Sequence, residues 1–123
     1  MKKTKTYWKN KCERLWKQLC KERDGHKCRY CGCEWKQLHV HHIVGRKHLR
    51  LFCDLRNGIT LCSSHHKLDK MSAHENAIVF NEWIKKEIGK DVYEELKRIS
   101  YQAEPLPNDW WEQEYNRLLK EAA

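Results

Sequence analysis

Nowhere in the 123 residues does an apolar run approach the ~20 residues that a bilayer-crossing helix needs. The N-terminus also lacks the apolar core of a secretory signal. These absences predict a soluble, intracellular (cytoplasmic) protein with no membrane partner. No internal repeat and no low-complexity tract occurs, so neither a repeat array nor a biased linker is expected. Apolar material is scarce throughout: 34% of residues are charged and the mean hydropathy is -0.97. A chain this short buries a modest share of its surface, so one domain over residues 1–123, with some extra staple, is the expectation.

What is abundant is positive charge. The formal net charge is +8, the pI is near 9.2, and the excess crowds the N-terminal segment: Lys2, Lys3, Lys5, Lys9, Lys11, Arg14, Lys17, Lys21 and Arg23. Any one of these reads as a solvated surface charge; their summed field points to a polyanionic partner. Cysteine is the second surplus. Seven of them, an odd number, with paired spacing and no sign of secretion, are expected to hold metal more than to form disulfides.

Trp8, Cys12, Leu15 and Leu19 recur at helical spacing with Lys and Arg between them, which predicts a basic amphipathic helix over residues 3–23, ended by Asp24-Gly25. Cys28-Arg29-Tyr30-Cys31-Gly32-Cys33 reads as a tight turn. Residues 38–43 alternate as a short strand, residues 45–56 form a basic loop, and residues 59–62 give a second strand. Ser63 or Ser64 then caps a helix through about Lys70. Helical stripes follow over residues 75–121: one through Val79, Phe80, Trp83, Ile84 and Ile88, closed by Gly89; one opened by an Asp91/Glu94 capping box; and one after Asn108, carrying Trp110, Trp111, Tyr115 and Leu118. The fold class expected is α+β, with the strand-loop-strand-helix unit at residues 26–70 wrapped by the flanking helices.

Cys28-x-x-Cys31 and Cys62-x-x-His65 each have the spacing that aims two side chains at one tetrahedral ion. Three thiolates and one imidazole favour zinc, and four protein ligands make the role structural. The alternative, a thioredoxin-type redox pair at Cys28 and Cys31, requires a parallel βαβ context that this sequence lacks. Cys12, Cys20, Cys33 and Cys53 are read as non-ligands. His41-His42 and His66 remain unexplained by zinc. On a strand, His41 and His42 face opposite sides, and on a helix His66 lies about 100° from His65, so a second metal site behind the first is permitted.

Taken in order, Cys28-x-x-Cys31, His41-His42-Ile43-Val44, Leu55-Arg56-Asn57-Gly58-Ile59 and Leu61-Cys62-Ser63-Ser64-His65-His66 closely resemble the HNH endonuclease family. The match covers about a third of the chain, the part expected to form a zinc-stapled ββα-metal core. The resemblance implies that His42 is the general base, Asn57 the central Asn that fixes the loop, and His66 the last His, binding a catalytic divalent metal with His41 as second ligand. It also implies entry of the ββα unit into the minor groove of DNA. His65 stands where the family more commonly has Cys, so an exchange of roles between His65 and His66 stays open. His39, His48 and His74 are further candidates near the metal or phosphate. Asn57-Gly58 can also be read as a type I′ hairpin turn.

The chemistry agrees with these roles. Phosphodiester hydrolysis needs a water, a base with a pKa near neutrality and a cation over the scissile phosphate. Imidazole ligands suit Mn2+, Ni2+, Co2+ or Zn2+, whereas Mg2+ prefers oxygen. Arg46, Lys47, Arg50 and Arg56 in the loop, with Lys67 and Lys70 on the helix, are expected to contact DNA phosphates. The alternative is a silent zinc-stabilised DNA-binding module or an adaptor to a phage packaging or recombination machine. Small proteins resembling this one occur in phages, which implies a bacterial host and a terminase or recombination protein as partner; the oligomeric state is left open.

Overall fold

In the computed structural model, which describes residues 2–68 and 76–122, two short strands and four α-helices surround two small cores. Helix α1, Lys5–Arg23, starts two residues later than the apolar periodicity suggested, because Thr4 is its N-cap and accepts from the Tyr7 N–H. Cys12, Trp16 and Cys20 form its buried stripe.

Strand β1, Leu38–His42, pairs antiparallel with β2, Gly58–Cys62, in the register Leu38↔Cys62, Val40↔Thr60 and His42↔Gly58. The link between them is long and holds two 3-10 turns, Leu49–Leu51 and Leu55–Asn57. Asn57 therefore closes a turn and Gly58 opens β2, which corrects the type I′ reading: a two-residue hairpin does not span strands that are this far apart in sequence.

β2 leads into a π-helical turn, Ser64–Leu68, where an α-helix was expected. Helices α2, Ala77–Ile88, α3, Lys90–Ser100, and α4, Trp110–Ala122, complete the chain. α2 is capped by Asn76 and closed by Gly89, but the Asp91/Glu94 capping box is not formed: α3 begins directly after Gly89 with no side-chain cap. No described helix is long and apolar enough to cross a membrane.

The sheet separates the two cores. One joins α1 and α4 through Cys12, Trp16, Cys20, Phe52, Cys53, Trp111 and Leu118, with Val40 beneath them. The other joins the cysteine turn to β2 and α2 through Cys28, Cys33, Ile59, Leu61, Phe80 and Ile84. α1 lies so close to β2 that a Cβ at Gly58 would fall 2.6 Å from both Cys20 Sγ and the Trp16 ring. Gly58 is thus the contact point that lets α1 press on the sheet.

Candidate metal centre and histidine cleft

Cys28, Cys31, Cys62 and His65 converge, with one ligand atom from each lying within 4.8 Å of all the others. Cys31 Sγ is 3.8 Å from Cys62 Sγ, and His65 Nδ1 is 3.3 Å from Cys62 Sγ and 3.9 Å from Cys28 Sγ. Sulfurs at ~2.3 Å and a nitrogen at ~2.0 Å from a tetrahedral ion would be roughly 3.6–3.8 Å apart, so the four atoms already sit near the corners that zinc requires. Gly32, at φ +76°, lets the turn double back, with its N–H bonded to the Cys28 carbonyl at 2.7 Å. Burial alone would raise the Cys28 thiol, but backbone N–H groups of Cys62, Cys31 and Tyr30 outweigh it and lower its pKa, favouring thiolate. Cys33 is buried and stays outside the set, its sulfur accepting from the Lys36 N–H at 3.4 Å. None of the seven cysteines is in a disulfide.

Behind this centre, a cleft of about 690 Å³ runs along β1. It is lined by Leu38 through His42, Gly45 through His48, His66, and Lys17 and Lys21 of α1. No residue of β2 lines it. Along β1 the burial alternates, with His39 and His41 half-buried and Val40 and His42 buried, so the strand sends its histidines to opposite sides. His41 and His66 meet ring to ring, with centroids 5.1 Å apart and planes at 67°. Two imidazoles on one ion at ~2.0–2.1 Å place their centroids roughly 5 Å apart, which is the separation of this pair; among the described residues, ligand atoms of three or more side chains converge at the thiolate centre alone. In the π-helical turn His65 goes to the thiolates while His66 goes to the cleft. Turns of this kind are frequent at functional sites.

His42 occupies the other side of β1. It stacks on Trp16 with centroids 4.2 Å apart and planes 18° from parallel, and its Nε2 lies 2.9 Å from the Phe52 carbonyl. A carbonyl only accepts, so Nε2 carries the hydrogen and, in the neutral ring, Nδ1 is the acceptor. Burial lowers the His42 pKa; the Phe52 carbonyl acts against this, Arg46 with it.

Asn57, fully buried, clamps the loop: its Oδ1 accepts from Val44 N–H at 2.7 Å, and its Nδ2 donates to the carbonyls of Val44 and Leu51, each at 3.0 Å. That clamp holds the chain immediately after His42.

The basic residues divide into two groups. Arg46 and Lys47 line the cleft, Arg46 lying over the Phe52 ring and paired with Glu13 at 2.5 Å. Arg50 instead donates to the Glu104 carbonyl and covers Trp110, and Arg56 forms a two-point pair with Asp54 at 2.7 and 3.0 Å, so neither reaches the cleft. Lys70 and His74, and the side chain of Lys67, lie outside the described residues. His48 lines the cleft. Two features were undervalued by sequence reading: His39, whose ring centroid is 5.1 Å from that of His66, and Lys17 and Lys21, which line the cleft and whose i, i+4 spacing puts both on one flank of the buried Trp16–Cys20 stripe. No protein-family model, curated protein or solved structure matches this chain.

Proposed function

We propose that the chain is a metal-dependent DNA endonuclease of the HNH kind, with residues 26–70 as its ββα-metal core, Cys28, Cys31, Cys62 and His65 holding a structural zinc, and the histidine cleft as its active site. The observation that carries the reading is that adjacent residues of one strand line one cleft in two different settings. The His41 and His66 rings meet with centroids 5.1 Å apart, while His42 is held by a stack and a carbonyl in a single tautomer.

A divalent ion on His41 and His66 would supply charge to neutralise the scissile phosphate and the leaving 3′ oxygen. His42 takes the proton of the attacking water at Nδ1. The Phe52 carbonyl holds its Nε2–H in place and stabilises the imidazolium as it forms, as an oriented acceptor does for a general base. Trp16 excludes water from one face of the ring. Asn57 positions and does no chemistry: its three bonds fix the backbone that follows His42. Arg46, Lys47, Lys17 and Lys21 bind backbone phosphates on both walls of the cleft, which gives affinity without sequence readout. A phage packaging or recombination machine is the setting this reading fits.

The test is relaxation of supercoiled plasmid by protein that keeps its structural zinc, supplied with Mg2+, Mn2+, Ni2+ or Zn2+, with His42→Ala alongside. Metal-dependent nicking that disappears in the variant is the expected result. Binding without cleavage under every metal would replace the nuclease with a zinc-stabilised DNA-binding module.

A further inference from the structure

One stripe of α1 runs beside the cleft. Lys9, Glu13, Lys17 and Lys21 recur every four residues, so their side chains stand on one face of the helix. Lys17 and Lys21 line the cleft, and the Lys9 ammonium lies 4.9 Å from the centre of the Phe52 ring. Glu13 is the single acid in this stripe. Among the described residues that line the cleft there is no Asp or Glu, so the Glu13 carboxylate is set against a row of cations.

Its partner comes from the loop between the strands. Arg46 Nη1 donates to Glu13 Oε2 at 2.5 Å, and the same guanidinium lies 4.8 Å from the centre of the Phe52 ring. The two partners differ in access: the Glu13 side chain is 17% exposed and that of Arg46 58%. Solvent therefore reaches the guanidinium far more freely than the carboxylate. Burial alone would raise the Glu13 carboxyl, but the hydrogen bond from Arg46 and the charges of Lys17 and Arg46 outweigh it and hold its pKa down, so the group is ionised at neutral pH.

A guanidinium binds carboxylate and phosphate through the same fork of N–H donors. An ion pair with one partner this exposed is weakly held, and a phosphate gathered by the neighbouring lysines can compete for it. We infer that Glu13 is an internal stand-in for phosphate: it occupies Arg46 in the free chain, and a phosphodiester backbone entering the cleft takes Arg46 from it. This rests on the reading of the cleft as a DNA-binding surface. The pair holds the affinity of the cleft below what its cations alone would give, and Arg46 is released to a backbone that already lies along Lys17, Lys21 and Lys47.

The experiment uses the full chain with its thiolate site filled with zinc and no other divalent metal, so that nothing depends on cleavage. Fluorescence anisotropy measures the affinity for a labelled DNA duplex at several salt concentrations, for the unmutated chain, Glu13→Gln, Arg46→Ala and the double variant. Glu13→Gln keeps the size of the side chain and removes its charge. It is expected to tighten binding about 5-fold and to steepen the salt slope by about 1, as one more phosphate contact forms. In the Arg46→Ala background the gain is expected to vanish. An equal gain with and without Arg46 would make Glu13 a general negative charge and overturn the exchange. Unchanged or weaker binding by Glu13→Gln, at full zinc content, would overturn it too and leave the pair as a tie between α1 and the loop. The Arg46 side-chain N–H signal in the NMR spectrum, assigned with Arg46→Ala, follows the exchange with Glu13 in place: it is expected to shift on addition of the duplex, and a signal unmoved at saturation would overturn the proposal. Failure of the unmutated chain to bind the duplex even at low salt is a separate result, which removes the DNA-binding reading and this inference with it.

Discussion

The Trp16 indole lies nearly parallel to the His42 imidazole, 18° between planes and 4.2 Å between centroids, while its own Nε1–H is fixed to the Asp54 carbonyl at 2.8 Å. The helix thus sets the pose of the proposed base. His42→Ala is expected to cut plasmid nicking by roughly 10²–10⁴ with DNA affinity within a few-fold of the original. Because the ring is buried, the same change should also lower stability by about 1–3 kcal/mol. Nicking assays, fluorescence anisotropy and thermal melts separate the three effects, and retained nicking would remove His42 from the mechanism.

The pH profile follows from the same residue. Burial lowers the His42 pKa, and Arg46 and Lys17 add to the shift against the opposing Phe52 carbonyl and Glu13. The acid limb of the rate profile is expected below the ordinary imidazole value of ~6.5. The unfolded chain binds this proton more readily than the folded one. The stability it contributes is therefore complete above about pH 6.5 and is lost as pH falls toward the folded pKa. Asp24 extends the trend. Burial alone would raise its carboxyl, but Arg23 and the Thr60 N–H outweigh it and hold its pKa down, so its share is present above about pH 3.9 and lost on further acidification. Melting temperature against pH should fall in two stages; a flat curve between pH 7 and 5 would contradict the first.

Removal of the thiolate centre should be severe. Cys28→Ser is expected to lower bound zinc from one equivalent to none and to destabilise the chain by more than about 4 kcal/mol. Elemental analysis with calorimetric melting checks this, and unchanged zinc and melting temperature would dismiss the Cys3His site.

Gly58→Ala tests the seat of α1. The added methyl meets Cys20 Sγ and the Trp16 ring at 2.6 Å, so about 1–3 kcal/mol of destabilisation is expected, with a loss of nicking larger than that of an equally destabilised variant elsewhere. Equal losses would mean that the Trp16–His42 stack is not needed for catalysis.

The two basic groups should separate under salt. Lys17→Ala and Lys47→Ala are each expected to weaken DNA binding uniformly across sequences and to reduce the salt slope by about 1, whereas Arg56→Ala, its guanidinium already held by Asp54, should leave the slope unchanged. Binding isotherms at several salt concentrations decide it.

Much of this architecture is legible in sequence where the determinants are local. The thiolate set follows from Cys28-x-x-Cys31 and Cys62-x-x-His65, because ligand spacing within a turn is a short-range property. β1 shows in the alternation from Leu38 onward, and α2 in its stripe and closing Gly89. What stays hidden depends on the path of the chain. Nothing near His42 announces that the Phe52 carbonyl will meet its ring. Arg23 looks like one more surface cation until the fold brings the carbonyls of Leu55 and Gly58 within 2.6 Å of its guanidinium. His39 is one of three further candidate histidines in sequence, and it is the fold that sets its ring beside that of His66. The Asp91/Glu94 box fails because Gly89 carries the chain from α2 into α3 without a capping residue between them.

The pairing of Leu38 with Cys62 at one end of the sheet, and of His42 with Gly58 at the other, has a consequence for loss of zinc. A slip of one residue along β1 would turn His41 toward α1 and swing His42 out of its stack, reversing every role on the strand. One end of that alignment is tied to the thiolate cluster through Cys62, the other to the loop through Asn57. On the proposed reading, a chain that loses the metal loses the anchor of this register along with stability, and its histidines stay intact while facing the wrong way.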